Sequence, residues 1–386
     1  MRQEGSALRV RGIGRRGFRA PERPLDMGNS GTTTRLLLGI LAGCPFKATL
    51  TGDESLSQRP MRRVTQPLEK MGARFFPDGV DRLPITIEGG KLRGISEYGM
   101  LIPSAQVKSA ILLAGLAAEG KTEVSEFTPT RDHTERMLKF MGANIRVLRR
   151  AVHPSTKAQG ERLAQDDLNV ITIEPGPLEA RELHVPGDFS SAAFFLVAGA
   201  IVPGSKVTLQ NVGLNPTRTA LLDVLKRMGA RIETQLDHGS EEWEPRGTIT
   251  VSYGKLKGTT VKPEEVPILI DEIPILMVAA TQAEGQTKIQ DARELRVKET
   301  DRIVSMVEEL ERLGTERKVY AMRDDVYIEG PIHLRGGEVG SRTDHRTAMS
   351  LLVAGLVAEG NTTVHGTEWI TISFPGFAES LQALGC

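Results

Sequence analysis

The sequence predicts an α/β protein in two domains, built from repeated α/β units. A pattern recurs five times along the 386 residues. Each copy runs from an apolar, small-residue helix to a glycine and a short strand. A polar loop bearing Arg follows, then an amphipathic helix that ends in Met-Gly or Leu-Gly. Such closing glycines suit the left-handed residue that ends a helix. They are Gly72, Gly142, Gly229, Gly314 and Gly385, and lie 70 to 87 residues apart. A solenoid repeat would be shorter, about 20–50 residues. Strand-like stretches follow the glycines, as in Ala73-Arg-Phe-Phe76, Ala143-Asn-Ile-Arg-Val147 and Ala230-Arg-Ile-Glu-Thr234. Helices and strands therefore alternate, as in α/β architectures.

The first copy runs from Arg35 through Ala42-Gly43 to Met71-Gly72. The second passes Ala114-Gly115 and the third Ala198-Gly199. The fourth passes Glu284-Gly285 and the fifth Ala354-Gly355. A polar stretch from His153 to Asp167 reads as a loop, and Val185-Pro-Gly-Asp-Phe-Ser-Ser191 opens a new helix with Asp188 or Ser190 as its cap. The boundary is placed there, giving domains 1–182 and 183–386. Two copies precede it and three follow. One unit is therefore expected to be missing from the front, leaving apolar surface uncovered.

Hydrophobic residues make up 39% and charged residues 25%, enough for a real core. Lys+Arg and Asp+Glu both total 49, which argues against a general nucleic-acid binder. No apolar run approaches the roughly 20 residues of a membrane span. The two cysteines, Cys44 and Cys386, offer neither a disulfide framework nor a metal cage. A soluble protein of a reducing compartment is expected. Met1 to Pro24 holds seven Arg, but Glu4, Glu22 and the strand-like Leu8-Arg-Val-Arg11 argue against a transit peptide.

Several loops carry groups suited to anions. Asn29-Ser-Gly-Thr-Thr-Thr-Arg35 leads into an apolar helix, where free backbone N–H groups and the helix dipole favour negative charge. Thr51 to Pro60 reads as a loop ending at Arg59. Ser104-Ala-Gln-Val-Lys-Ser109 offers hydroxyl, amide and amine groups at a helix start, and Thr130-Arg131-Asp-His-Thr-Glu-Arg136 opens another helix. Arg and Lys at such junctions suit phosphate and carboxylate, although singly each is more often a solvated charge. Asp271-Glu272 lies inside an apolar run, as a helix cap or as a partly buried base. Arg296-Val-Lys298-Glu299-Thr-Asp301-Arg302 crowds charges of both signs, and Thr343-Asp-His345-Arg346 opens the last apolar helix. A metal reading of Asp344 and His345 is weak without further ligands at suitable spacing. His133 and His345 read as loop or cap residues. Gly12-Ile-Gly-Arg-Arg-Gly17 matches a dinucleotide fingerprint, but Phe18 to Pro24 cannot open the helix it requires.

Together these loops resemble the 5-enolpyruvylshikimate-3-phosphate synthases. The carrying residues are Gly28 to Arg35, Gln58-Arg-Pro60, Ser104-Ala-Gln106, Ser125 to Arg136, Gly187 to Ser191, Asp271-Glu272, Arg296 to Arg302 and Asp344-His-Arg346. Their wording looks like the second bacterial class. The resemblance implies the inverted α/β-repeat fold of enolpyruvyl transferases, with βαβαββ units and two domains that close on substrate. It implies a cytoplasmic monomer that needs neither metal nor organic cofactor. Its substrates would be shikimate 3-phosphate and phosphoenolpyruvate.

By the same resemblance, Asp271 deprotonates the shikimate hydroxyl and Glu299 takes part in proton transfer, with Lys298 close by. Ser104, Ala105, Gln106, Arg131, Asp271 and Lys298 hold shikimate 3-phosphate. Gly31, Arg59, Gln106, Arg302 and Arg346 hold phosphoenolpyruvate. Ala105 stands where some relatives have a second serine, and Ile372 where some carry a substrate-binding lysine. Relatives begin with a unit bearing a Pro-Gly-Asp-Lys-Ser run, which has no counterpart here. Gly31 stands where inhibitor-resistant relatives carry Ala, so glyphosate sensitivity is expected. Two rivals are UDP-N-acetylglucosamine enolpyruvyl transferase, whose loop cysteine has no counterpart, and a chain that binds shikimate 3-phosphate or a partner without catalysis.

Overall fold

The apolar, small-residue stretches become buried helices that cross between parallel strands, and the amphipathic stretches become the helices that follow. The computed structural model describes residues 2–5, 7–14, 17–151 and 167–384. The polar stretch from His153 lies outside the described residues as far as Asp166, as do Arg15, Arg16, Gly385 and Cys386. Two compact units form, Met1–Leu183 and His184–Cys386.

In the first unit, α1 (Gly31–Ala42) connects strands Leu25–Asp26 and Lys47–Thr51, which pair in parallel. The stretch read as a loop before Arg59 holds a helical turn, α2 (Glu54–Ser57), because Asp53 caps it by accepting from the Leu56 N–H. Helix α3 (Arg62–Met71) then leads to Arg74–Phe76 and Ile85–Glu88. The sheet order is Leu25–Asp26, Lys47–Thr51, Ile85–Glu88, Arg74–Phe76. The same order recurs with α4 (Ala105–Gly115) and α5 (His133–Phe140): Tyr98–Met100, Thr122–Glu126, Asp167–Ile173, Ile145–Ala151. In both sheets the first pair is parallel and the later pairs antiparallel.

The second unit repeats the scheme. Helix α6 (Phe189–Ile201) precedes Lys206–Gly213, and α7 (Ala220–Arg227) precedes Arg231–Leu236 and Arg246–Ser252. Gly187 bridges Val212 in parallel, where the other sheets have a first strand. Helices α8 (Val266–Leu269) and α9 (Ile273–Thr281) connect Thr260–Val261 to its parallel neighbour Gly285–Ile289. Helix α10 (Arg302–Arg312) leads to Val319–Met322 and Asp325–Gly330. Helix α11 (His345–Gly355) joins the parallel strands Glu338–Gly340 and Thr363–His365, and α12 (Phe377–Ala383) follows.

Burial explains the two helix types. Every residue of α9 is buried, and nearly every residue of α6. A helix covered on all sides can be apolar all round. Helices α3, α7 and α10 bury one stripe only, and their closing glycines take positive φ: +115° at Gly72, +98° at Gly229 and +81° at Gly314. In the second unit Phe194, Phe195, Phe374 and Phe377 form an edge-on aromatic cluster. The strand expected at Leu8 to Arg11 stops at Arg9 and, among the described residues, pairs with Arg2–Glu4 alone; Leu8 and Val10 are exposed. Among the described residues, no helix is long and apolar enough to cross a membrane.

Helices α1 and α4 pack in close contact at Gly39. A Cβ built there would lie 2.3 Å from the Ala110 carbonyl oxygen. Gly39→Ala must therefore push the two helices apart, and overpacking of this kind costs about 1–3 kcal/mol. Chemical denaturation should show that loss. An unchanged midpoint would mean the helix pair yields freely.

Candidate active site

In the first unit, helix N-termini meet two arginines. Ser30 caps α1 by accepting from the Thr33 N–H, and Ser104 caps α4 by accepting from the Val107 N–H. Both helices follow first strands of parallel pairs, so their free N–H groups gather at the carboxyl ends of those strands, where open α/β sheets bind ligands. Arg59 donates to Asn29 Oδ1 at 2.8 Å, and Asn29 in turn donates to Asp53 at 2.6 Å. Gly31 lies beneath this guanidinium: its Cβ position is 3.3 Å from Arg59 Nη1 and 3.6 Å from Arg35 Nη1. Arg35 donates to the Pro60 carbonyl at 3.2 Å and also to Gln106 Oε1. Gln106 Nε2 donates to Thr32 at 2.6 Å. Gly31, Arg59, Ser104, Ala105 and Gln106 thus share one locus. Arg131 lies apart from it in sequence, immediately before Asp132 at the start of α5.

In the second unit, three expected cations, Lys298, Arg302 and Arg346, converge on one expected carboxylate, Asp271. Asp271 Oδ1 lies 3.3 Å from Arg302 Nη1, and 3.9 Å from both Lys298 Nζ and Arg346 Nε. Arg346 also donates to the Asp271 backbone carbonyl at 3.1 Å. Arg218 Nη1 approaches Asp271 Oδ2 at 3.8 Å. Arg302 is only 1% exposed and spans three carboxylates: it donates to Asp344 at 2.7 Å, to Glu299 at 2.5 Å and to Asp271. Burial pulls its basicity down, but Asp344, Glu299 and Asp271 outweigh that and raise it above the ordinary guanidinium value. Burial and the neighbouring Arg346 hold the His345 imidazole below its usual range, so it stays neutral near pH 7. Asp344 divides its oxygens: one takes Arg302, the other caps α11 by accepting from Arg346 and Thr347 N–H groups. Among the described residues, no group of three or more His, Cys, Asp or Glu could hold a metal ion.

A carboxylate ringed by cations, near a second carboxylate, matches a site for acid/base work on anions. The comparisons with known proteins bear on the whole chain and show its family. The model of EPSP synthase (3-phosphoshikimate 1-carboxyvinyltransferase) matches residues 1–381. The chain belongs to the EPSP synthase family. It is 48% identical to 3-phosphoshikimate 1-carboxyvinyltransferase of Geobacillus kaustophilus, over 100% of this chain and 86% of that one. It is also 48% identical to the protein of that name from Shouchella clausii, over 99% of this chain and 84% of that one. A solved EPSP synthase from Acinetobacter baumannii is similar at a TM-score of 0.78 and 42% identity, covering 97% of this chain and 81% of that one. The fold is therefore the two-domain α/β fold of the EPSP synthase family.

Three expectations need correction against this EPSP synthase geometry. The cap reading of Asp271-Glu272 holds for position alone, since Glu272 is the N-cap residue of α9 but its side chain makes no capping bond. Glu272 instead accepts from Ser190 Oγ at 2.5 Å, which binds Arg218 in turn. The Lys108 amine does not join the anion site. It is 1% exposed, turned inward between Glu126 and Glu135. Arg35 and Arg218 were given no role by resemblance, yet one joins Gln106 and the other Asp271. The repeat itself held the signal for Arg218. Arg59, Arg131, Arg218 and Arg302 all stand within two residues of the cap of the second helix in their units.

Proposed function

We propose that this chain transfers the enolpyruvyl group of phosphoenolpyruvate to the 5-hydroxyl of shikimate 3-phosphate and releases inorganic phosphate. One observation carries the reading: the Asp271 carboxylate stands within 4 Å of Arg218, Lys298, Arg302 and Arg346, with Glu299 on the same Arg302. The substrates bring two phosphates and two carboxylates. They need cations that exchange internal carboxylate partners for substrate anions, and this cluster supplies such cations.

The chemistry then assigns the groups. Asp271 takes the proton from the 5-hydroxyl as its oxygen attacks C2 of phosphoenolpyruvate. Glu299 delivers a proton to C3. The tetrahedral intermediate expels phosphate, and loss of the C3 proton restores the double bond. Lys298, Arg302 and Arg346 stabilise the charge that develops. Gly31, Arg59 and Gln106 hold phosphoenolpyruvate, while Ser104, Ala105, Gln106 and Arg131 hold shikimate 3-phosphate. The chain acts as a cytoplasmic monomer. It is sensitive to glyphosate, because Gly31 presents no side chain beneath Arg59.

Phosphate release should require both substrates. Release with phosphoenolpyruvate and UDP-N-acetylglucosamine instead would transfer the chain to the rival reaction. Binding of shikimate 3-phosphate without turnover would leave only the non-catalytic reading. Arg59→Ala should lower kcat/KM by at least about tenfold, the scale of a lost charge-assisted contact. Steady-state kinetics with an unchanged ratio would remove Arg59 from the site.

A further inference from the structure

We infer that Lys108, a buried residue with no role in the chemistry, is the positioning residue for shikimate 3-phosphate recognition: it fixes the Arg131 segment against the first turn of α4. This rests on the reading above, in which Ser104, Gln106 and Arg131 hold that substrate.

Lys108 sits one turn into α4, and its backbone N–H donates to the Ser104 carbonyl at 3.1 Å. Its ammonium is buried and reaches three groups. Glu126 Oε1 lies at 3.1 Å, the Thr130 carbonyl oxygen at 3.4 Å and Glu135 Oε1 at 2.7 Å. Glu126 ends the strand Thr122–Glu126, and Glu135 lies in the first turn of α5. Residues 127–132, which carry Arg131, run between those two anchors. Lys108 therefore grips both ends of the segment and its middle. Two further bonds close the frame. Thr130 Oγ1 donates to Glu126 Oε2 at 2.7 Å, and the Ser109 and Thr134 hydroxyls meet at 2.7 Å.

The charges make this frame depend on the lysine. Burial pulls the ammonium towards neutrality, but Glu135 and Glu126 outweigh it and raise the Lys108 pKa above its ordinary value. The carboxylates share one cation between them. Burial, with Lys108 opposing, leaves Glu135 above the usual carboxylate range. Without Lys108, one of the two buried carboxylates takes up a proton rather than face the other charged, and residues 127–132 lose the cation that ties Glu126, Thr130 and Glu135 to α4. That displaces Arg131 while leaving Arg59 and its partners in place.

The test compares wild-type protein with Lys108→Met, Glu135→Gln and Arg131→Ala. Calorimetry reads the binding of shikimate 3-phosphate, and kinetics reads KM with each substrate varied. Lys108→Met should weaken shikimate 3-phosphate binding by about tenfold, with KM for phosphoenolpyruvate changed less than about twofold. Glu135→Gln keeps a one-to-one Lys108–Glu126 pair. It should fold if Lys108→Met does not, and shift the same constant by about threefold. Equal losses for both substrates in the folded variants would overturn the proposal, as would wild-type affinity for shikimate 3-phosphate in them. Should Arg131→Ala weaken binding while the two frame variants do not, the substrate assignment stands and the positioning role fails. If the wild-type protein binds no shikimate 3-phosphate, both fail together.

Discussion

Arg302→Met is expected to abolish turnover and to cost about 3–5 kcal/mol of stability, the scale of breaking a buried ion pair from one side. Methionine matches the stem of arginine in length but carries no charge. The side chain it replaces is 1% exposed and bonds Asp344, Glu299 and Asp271 at once. Asp344 is fully buried, and its second oxygen already caps α11. After the substitution Asp344 keeps that capping role but loses its counter-ion. Glu299 would swing towards water, since a fifth of its side chain is already exposed. Asp271 would keep Arg218, Lys298 and Arg346 within 4 Å. The stability loss should therefore track Asp344, and the activity loss the displaced Glu299 and the missing substrate contact. Denaturant titration and phosphate release, measured on the same preparation, separate the two. Arg302→Lys keeps one charge but cannot span three carboxylates, so it should fall between. A Met variant as stable as the wild type would mean that Arg302 is not the clamp of this cluster.

How far the sequence revealed this cluster depends on distance along the chain. Lys298, Glu299 and Arg302 fall within five positions of the chain, so their crowding was legible as charge pattern. The meeting of Asp271 with residue 346 was not legible from spacing, because it depends on α9 and α11 packing side by side. Resemblance supplied that step. Arg218 was missed, although the repeat carries a signal for it: an arginine stands beside the second helix in four units. Inward-turned charges were harder to read. Lys108 stands in a motif of polar residues and looks like a ligand group. Only the burial of α4 beside Glu126 and Glu135 turns its ammonium away from the helix mouth. The helical turn Glu54–Ser57 was obscured for a smaller reason. Four residues are too few to show a period, and only the Asp53 cap marks it.

Asp271→Asn should lower turnover by about 10²–10⁴-fold, the usual contribution of a general base. The substitution keeps shape and size, so the Arg346 bond to the residue-271 carbonyl survives. What it removes is the negative charge at the centre of four cations. At an effective dielectric constant near 20, each such pair at 4 Å is worth about 4 kcal/mol before desolvation is subtracted. In the free protein Asp271 therefore competes with any incoming anion for Lys298, Arg302 and Arg346. Asparagine cannot compete. Phosphoenolpyruvate should bind as tightly as before or tighter, even as the reaction stops. This opposition between binding and rate separates a base from a structural anchor. Calorimetry with phosphoenolpyruvate and a phosphate-release assay on the same variant read the two sides. If binding and turnover fell together, Asp271 would be holding the cations in place rather than moving a proton. If turnover stayed within about threefold of wild type, another group would be the base.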